Sequence, residues 1–277
     1  MSLVVFAVVL FAAALHATWN AVVKSGDDKL MTTALVAGFA AMIAVIALPF
    51  LPLPAPASRP FIAVSTLLQI GYFILVARTY RAADMSQAYP LMRGTAPLLV
   101  ATASAVFLAE PLGPLAWLGI AMICAGIISM AAGVKPGQHK GVRLALLNAV
   151  VIAAYTLIDG EGVRRSGAPA AYALWIFLLT GAPLAAWVAA TRRDAFPRYF
   201  AGNWRQGIVG GFGTAASYGL ALWAMTLAPI AVVAALRETS ILFGAAISGL
   251  ILRESLTPVR IAGACIIAAG AAALRLT

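Results

Sequence analysis

The sequence predicts an all-α integral membrane protein whose ten transmembrane helices form two inverted five-helix repeats. Composition is the first reason: 63% of the 277 residues are hydrophobic, 10% are charged, and the mean hydropathy is +0.97, which is too apolar for a soluble domain. The second reason is a series of mostly apolar stretches of ~20 residues, the length that crosses a bilayer. The third is internal repetition at an offset of 144 residues.

The predicted helices occupy almost the whole chain and leave only short connections, so no room remains for a soluble domain. The first stretch lacks a basic segment before it, and we interpret it as a retained helix rather than a signal peptide. In chain order, the predicted helices are 3–23, 30–51, 60–82, 85–108, 114–134, 141–163, 168–190, 204–226, 229–251 and 256–276.

The repeat is visible in paired charged residues. Arg93 and Glu110 are 17 residues apart, and so are Arg237 and Glu254. Because five helices per copy is an odd number, the second copy enters the membrane upside down, and a site between the copies is expected. The predicted domains are 1–135 and 136–277. Further matches at the same offset are Thr95 with Thr239, Leu98 with Leu242, Leu112 with Leu256, Gly119 with Gly263, and Gly126 with Gly270.

Basic residues give the formal net charge of +10, and they lie mostly at helix ends. The connections that follow odd-numbered helices carry 13 of them, whereas the termini and the other connections carry 4. The positive-inside rule then places both termini outside the cytoplasm. This distribution favours contact with lipid headgroups over nucleic acid, since no basic face remains outside the membrane. Cys124 and Cys265 form no cluster, so we expect no metal and no cofactor.

Two segments carry a family resemblance: LMRGTAPLLVATASAVFLAEPLGPLAWLGIAMICAG and LRETSILFGAAISGLILRESLTPVRIAGACIIAAG. Each has a glutamate (Glu110 or Glu254), a short turn to a proline (Pro114 or Pro258), and a glycine-spaced helix. This pattern resembles the EamA module of the ten-helix drug/metabolite transporter superfamily, and it looks most like the bacterial aromatic-amino-acid exporters. The resemblance implies a multi-pass protein of the bacterial inner membrane that exports small metabolites, and the distribution of basic residues then places both termini in the periplasm.

Polar and aromatic residues share a face on helices 1 and 6. His16, Trp19 and Asn20 fall at i, i+3 and i+4, and Tyr155 and Asp159 overlay His16 and Asn20 at an offset of 139. We expect these faces to line a shared cavity; the alternative is a set of hydrogen bonds between helices.

Further aromatic and polar side chains could receive a planar or cationic substrate by ring stacking or cation–π contact. They lie on helices 3, 4 and 8 and are Gln69, Tyr72, Tyr89, Ser217 and Tyr218.

Arg93 and Arg237 lie about eight residues, ~12 Å, into their helices. A charge at that depth costs about 2.5–3.5 kcal/mol, so each should face the protein interior or water. Two interpretations stay open. Either the arginines contact a substrate carboxylate, or they pair with the acids Asp159 and Glu238 to hold helices together.

Local features suggest how the bundle moves and packs. Pro90 and Pro97 each remove a backbone hydrogen bond from helix 4, so we expect this helix to bend as a gate. Glu110 and Glu254 are expected to be structural, with each carboxylate accepting from free N–H groups at the next helix start. The glycine pairs of helices 5 and 10 are expected to permit close packing.

The sequence therefore predicts a secondary transporter that exports amino acids with aromatic or large apolar side chains, by alternating access. The alternative is export of another metabolite or drug class. An integral-membrane enzyme would need clustered catalytic groups, and the chain has only His16 and His139 as histidines. Expected partners are the small-molecule substrate and membrane lipid. Asp159, His16 or Glu238 could carry a proton as the coupling ion, whereas passive or exchange-type movement would need none. We expect a monomer or a weak homo-oligomer.

Overall fold

A computed structural model describes residues 1–82, 85–130, 139–250 and 257–277. Every regular element within these ranges is helical; Glu254 lies outside them. Two short 3₁₀ helices, Leu48–Phe50 and Pro56–Ser58, join α2 to α3. The α-helices are α1 Leu3–Ser25, α2 Lys29–Ala47, α3 Arg59–Ala82, α4 Met85–Phe107, α5 Pro114–Ser129, α6 His139–Ser166, α7 Pro169–Thr191, α8 Phe196–Met225, α9 Ile230–Arg237, α10 Ser240–Leu250 and α11 Pro258–Arg275.

Within the described residues, eight helical segments are long and apolar enough to cross a membrane, and α5 is a shorter apolar helix. One of these segments, Ile230–Ile247, includes the break between α9 and α10. The helix α8 has 30 residues and is therefore about 45 Å long, which exceeds a hydrocarbon layer of about 30 Å. It begins eight residues before the predicted start at 204, so its first turns extend beyond the apolar layer.

Proline and polar caps set several helix starts. The helices α5, α7 and α11 open with a proline, whose missing N–H would have had no partner at that position. At the start of α2, Asp28 Oδ1 accepts from the N–H groups of Leu30 at 2.9 Å and Met31 at 3.0 Å. These prolines and caps mark where a helix begins after a short connection.

Glycines bring α5 and α11 into backbone contact. A Cβ atom on Gly126 would lie 2.8 Å from the carbonyl oxygen of Gly263, and one on Gly119 would lie 2.9 Å from that of Gly270. Since the lower-numbered glycine of one helix meets the higher-numbered glycine of the other, the helices run antiparallel. The close packing expected of these glycines is confirmed.

The short helix α9 lies at the centre of the bundle. All eight of its residues are buried, and all of them except Arg237 are apolar, as expected for a helix enclosed on every side. It contacts α1, α4 and α5 from the first half of the sequence, and α6, α8 and α11 from the second. Any group at the C-terminal end of α9 is therefore held where the two halves meet.

The glycine crossing gives a prediction about stability. Gly126→Ala should lower the thermal unfolding midpoint in detergent, because the added Cβ meets backbone; overpacking of this kind costs about 1–3 kcal/mol. The matched control is Gly71→Ala in α3, where an added Cβ has nothing within 4 Å and the helix gains up to about 1 kcal/mol. A midpoint that rises equally in both variants would contradict the packing described.

Candidate central binding site

The predicted ninth helix is interrupted at Glu238 and Thr239. The N–H of Glu238 donates to the Ala235 carbonyl and that of Thr239 to the Leu236 carbonyl, both at 3.0 Å. These bonds span three residues instead of four, so the chain tightens into a 3₁₀ turn. The Thr239 hydroxyl also donates to the Leu236 carbonyl, at 2.6 Å. No proline lies in this segment, so the sequence offered no clear sign of the break.

An ion pair joins this turn to α4. The Nε atom of Arg93 donates to Glu238 Oε2 at 2.9 Å, and its Nη2 lies 2.9 Å from Oε1. The two side chains are only 7% and 6% exposed. The pairing interpretation thus holds for Arg93, but its acid is Glu238 and not Asp159. Removing one partner from a buried pair costs about 3–5 kcal/mol, because the remaining charge stays desolvated.

Arg237 is held differently, although it adjoins Glu238 in sequence. Its guanidinium carbon lies 4.9 Å from the centre of the Tyr218 ring, a cation–π distance, and the residue is 9% exposed. Within the described part of the chain, no carboxylate lies at ion-pair distance from Arg237. The Glu238 carboxylate is thus bound by Arg93, whereas the guanidinium of Arg237 lies over the Tyr218 ring.

A small cavity lies beside these charged groups. It has room for about one water molecule, so the centre is closed in this structure. Both arginines face it, together with Glu238 and Tyr155 of the predicted set. The remaining lining residues are Ala96, Pro97, Val100, Ile152, Thr156 and Ala234.

A second cluster surrounds Asp159, which is fully buried. Its carboxylate accepts from Gln69 Nε2 at 3.3 Å, from the Tyr172 hydroxyl at 3.1 Å and from the Tyr218 hydroxyl. These donors are neutral, and they come from three different helices. Because the guanidinium of Arg237 lies over the Tyr218 ring, Tyr218 connects the Asp159 cluster to the central cavity.

The predicted face of α1 is tied together by its own side chains. The Trp19 indole N–H donates to His16 Nδ1 at 3.2 Å, and Asn20 Nδ2 donates to the His16 carbonyl at 2.7 Å. Because Nδ1 accepts, His16 is the tautomer that carries its proton on Nε2. The N–H at Nε2 is thus the group that His16 can offer to a ligand.

The other predicted residues take several positions. Tyr72 meets Tyr155 edge to face, with ring centres 5.9 Å apart, and Tyr89 is half-buried in α4. The Ser217 hydroxyl donates to the Ala12 carbonyl at 2.7 Å. This hydrogen bond joins α8 to α1, and the hydroxyl therefore has no proton left to donate to a ligand.

The expected hinge prolines do not interrupt their helix. The helix α4 runs from Met85 to Phe107 through both Pro90 and Pro97, whereas the break occurs in the repeat-related segment at Glu238. Pro97 nevertheless faces the central cavity.

Sequence reasoning missed two residues of the site. Tyr172 lies one turn from the start of α7, where an aromatic residue is usually a membrane-interface residue, but it is fully buried against Asp159. Thr156 lines the cavity next to the predicted Tyr155. Its spacing of three residues from Asp159 on α6 was the available signal.

The fold and site together define a multi-pass helical membrane protein with a charged centre. Residues 139–276 match the model of the EamA-like transporter family. A solved crystal structure of a protein covers 98% of this chain and 98% of its own, with a TM-score of 0.76 and 18% identity. At that identity, the likeness shows the fold alone. None of the curated proteins compared by sequence matches the chain.

Proposed function

We propose that this protein is a secondary transporter that exports an amino acid with an aromatic or large apolar side chain. The observation that carries the proposal is Arg237, a buried cation on a central cavity whose neighbouring carboxylate, Glu238, is bound to Arg93. A carboxylate-bearing molecule is the natural ligand for such a guanidinium group. The EamA-like domain supports transport as the activity; the substrate class and the direction are proposed.

We infer that movement occurs by alternating access between two inverted repeats, 1–135 and 136–277. The antiparallel crossing of α5 and α11 supports this, because Gly119 meets Gly270 while its repeat equivalent Gly263 meets Gly126. A two-fold axis in the membrane plane produces this exchange of partners. The proposed setting is the bacterial inner membrane, with both termini in the periplasm and the protein a monomer or a weak homo-oligomer.

The substrate carboxylate would bind Arg237, and the side chain would lie among the aromatic rings of Tyr72, Tyr155 and Tyr218. The cavity must enlarge to admit it, since the centre of the bundle is closed in this structure. His16 offers its Nε2 proton from α1. The other proposed contacts, from the predicted set, are Trp19, Asn20, Gln69, Tyr89, Arg93, Asp159, Ser217 and Glu238, with Pro90 and Pro97 as the proposed hinges of the gate.

The test is uptake into proteoliposomes. Arg237→Gln should reduce phenylalanine transport by about ten- to a hundredfold, the equivalent of one hydrogen bond to a charged group. The control, Arg205→Gln, removes an exposed arginine whose guanidinium lies over the Trp204 ring, and transport should continue. If amino acids do not move while a nucleoside, drug or sugar phosphate does, the substrate proposal is wrong and the alternative class is right.

Asp159 is the proposed proton carrier, because its carboxylate is held by neutral donors whereas Glu238 is already paired with a cation. A proton on Asp159 and the ammonium group of an amino acid would compete for the same carboxylate, and such competition couples the two flows. In Asp159→Asn, an imposed pH gradient should no longer change the rate of transport, while exchange of substrate for substrate should continue. Wild-type transport that ignores a pH gradient would exclude proton coupling.

A further inference from the structure

Glu110 makes contacts that its position in the sequence does not suggest. It lies in the connection between α4 and α5, yet its carboxylate accepts from the Ile230 N–H at 3.0 Å to Oε2 and 3.3 Å to Oε1. Ile230 is the first residue of α9. A carboxylate was expected to cap the next helix along the chain; it caps a helix of the other half of the sequence. The Ser104 hydroxyl also donates to Oε2.

Arg164, at the end of α6, completes the group. Its Nη2 lies 2.5 Å from Glu110 Oε1 and donates to the Ala228 carbonyl at 3.0 Å, while its Nε donates to the Met225 carbonyl at 2.8 Å. One guanidinium therefore binds both Glu110 and the connection between α8 and α9. The carboxylate side chain is 10% exposed, so water competes little for it.

The local backbone directs Glu110 toward α9. Ala109 has φ of 50°, a left-handed conformation that is uncommon for a residue with a Cβ. The Glu110 N–H donates to the Ser104 carbonyl at 3.3 Å, as at many helix C-termini. The chain therefore turns sharply after α4 and brings Glu110 against α9.

All these contacts lie on one face of the bundle, which is also the face of the chain termini. Arg275 donates to the Met1 carbonyl at 2.9 Å, and the Ala55 N–H donates to the Ser166 carbonyl at 2.9 Å. The connections on this face thus touch one another. By the distribution of basic residues, this face is the one expected outside the cytoplasm.

We propose that Glu110 and Arg164 are positioning residues that hold α9 in the closed arrangement and so keep the central cavity inaccessible from the face of the termini. The helix α9 ends at Arg237 and leads directly to Glu238, so release of its N-terminus frees the residues that line the cavity. This inference rests on the proposed alternating access, and it does not depend on which substrate is carried.

The test measures accessibility without substrate. Thr156→Cys places a thiol in the cavity lining, in a background with Cys124→Ala and Cys265→Ala. A membrane-impermeant maleimide sulfonate is applied to sealed vesicles of each orientation. In Glu110→Gln and Arg164→Gln, labelling from the face of the termini should rise at least about tenfold, the effect of losing one charge-assisted hydrogen bond on a two-state equilibrium. Labelling from the opposite face should not rise.

The chain provides a matched control in the adjacent arginine. Arg165 pairs with Glu161 at 2.6 Å on the same helix end, but it is 52% exposed and contacts no residue of α9 in any described hydrogen bond or ion pair. Arg165→Gln should therefore leave labelling unchanged, and Arg164→Lys should keep part of the protection. Unchanged labelling in both Glu110→Gln and Arg164→Gln would overturn the proposal, and so would an equal rise from both faces, which indicates general loosening. If labelling changes as expected but the protein transports no amino acid, the gating proposal stands and only the proposed substrate is refuted.

Discussion

The ion pair between Arg93 and Glu238 joins the two halves of the sequence at the point where the long apolar segment after α8 is interrupted. Two charges this deep in an apolar bundle are tolerated only when each has a partner. The pair therefore fixes the register between α4 and the turn that follows α9. The cavity and the stacking of Arg237 on Tyr218 depend on the position of that turn.

The consequence for chemistry is an unequal distribution of charge. Arg93 and Glu238 form an ion pair, whereas the guanidinium of Arg237 lies over the Tyr218 ring and Asp159 accepts from neutral donors. In the proposed function, Arg237 therefore binds an anion, and Asp159 binds a proton or an ammonium group. An amino acid carries both complementary charges, which is the physical basis of the proposed substrate.

Composition and repetition were sufficient to predict the helical membrane bundle, the close packing at the paired glycines and the inward position of Arg93 and Arg237, because these depend on apolar length and on matched positions. The contacts that depend on tertiary geometry were not predictable. The sequence left open whether Asp159 or Glu238 pairs with an arginine, and tertiary geometry selects Glu238 for Arg93. Tyr172 is buried beside Asp159 instead of lying at the interface, and Glu110 caps α9 across the molecule. The break after Arg237 has no proline or glycine to mark it, whereas α4 remains helical through two prolines.

The most direct test distinguishes the roles of Arg93 and Arg237 by replacing both members of the Arg93–Glu238 ion pair with neutral residues. The double variant Arg93→Gln with Glu238→Gln should be closer to wild type in stability than either single variant, since a lone buried charge costs about 3–5 kcal/mol. By isothermal titration, it should still bind phenylalanine and discriminate against phenylalanine amide, because Arg237 is intact. A double variant that loses this carboxylate selectivity would show that Arg93 contacts the substrate, and it would contradict the assignment of the substrate carboxylate to Arg237.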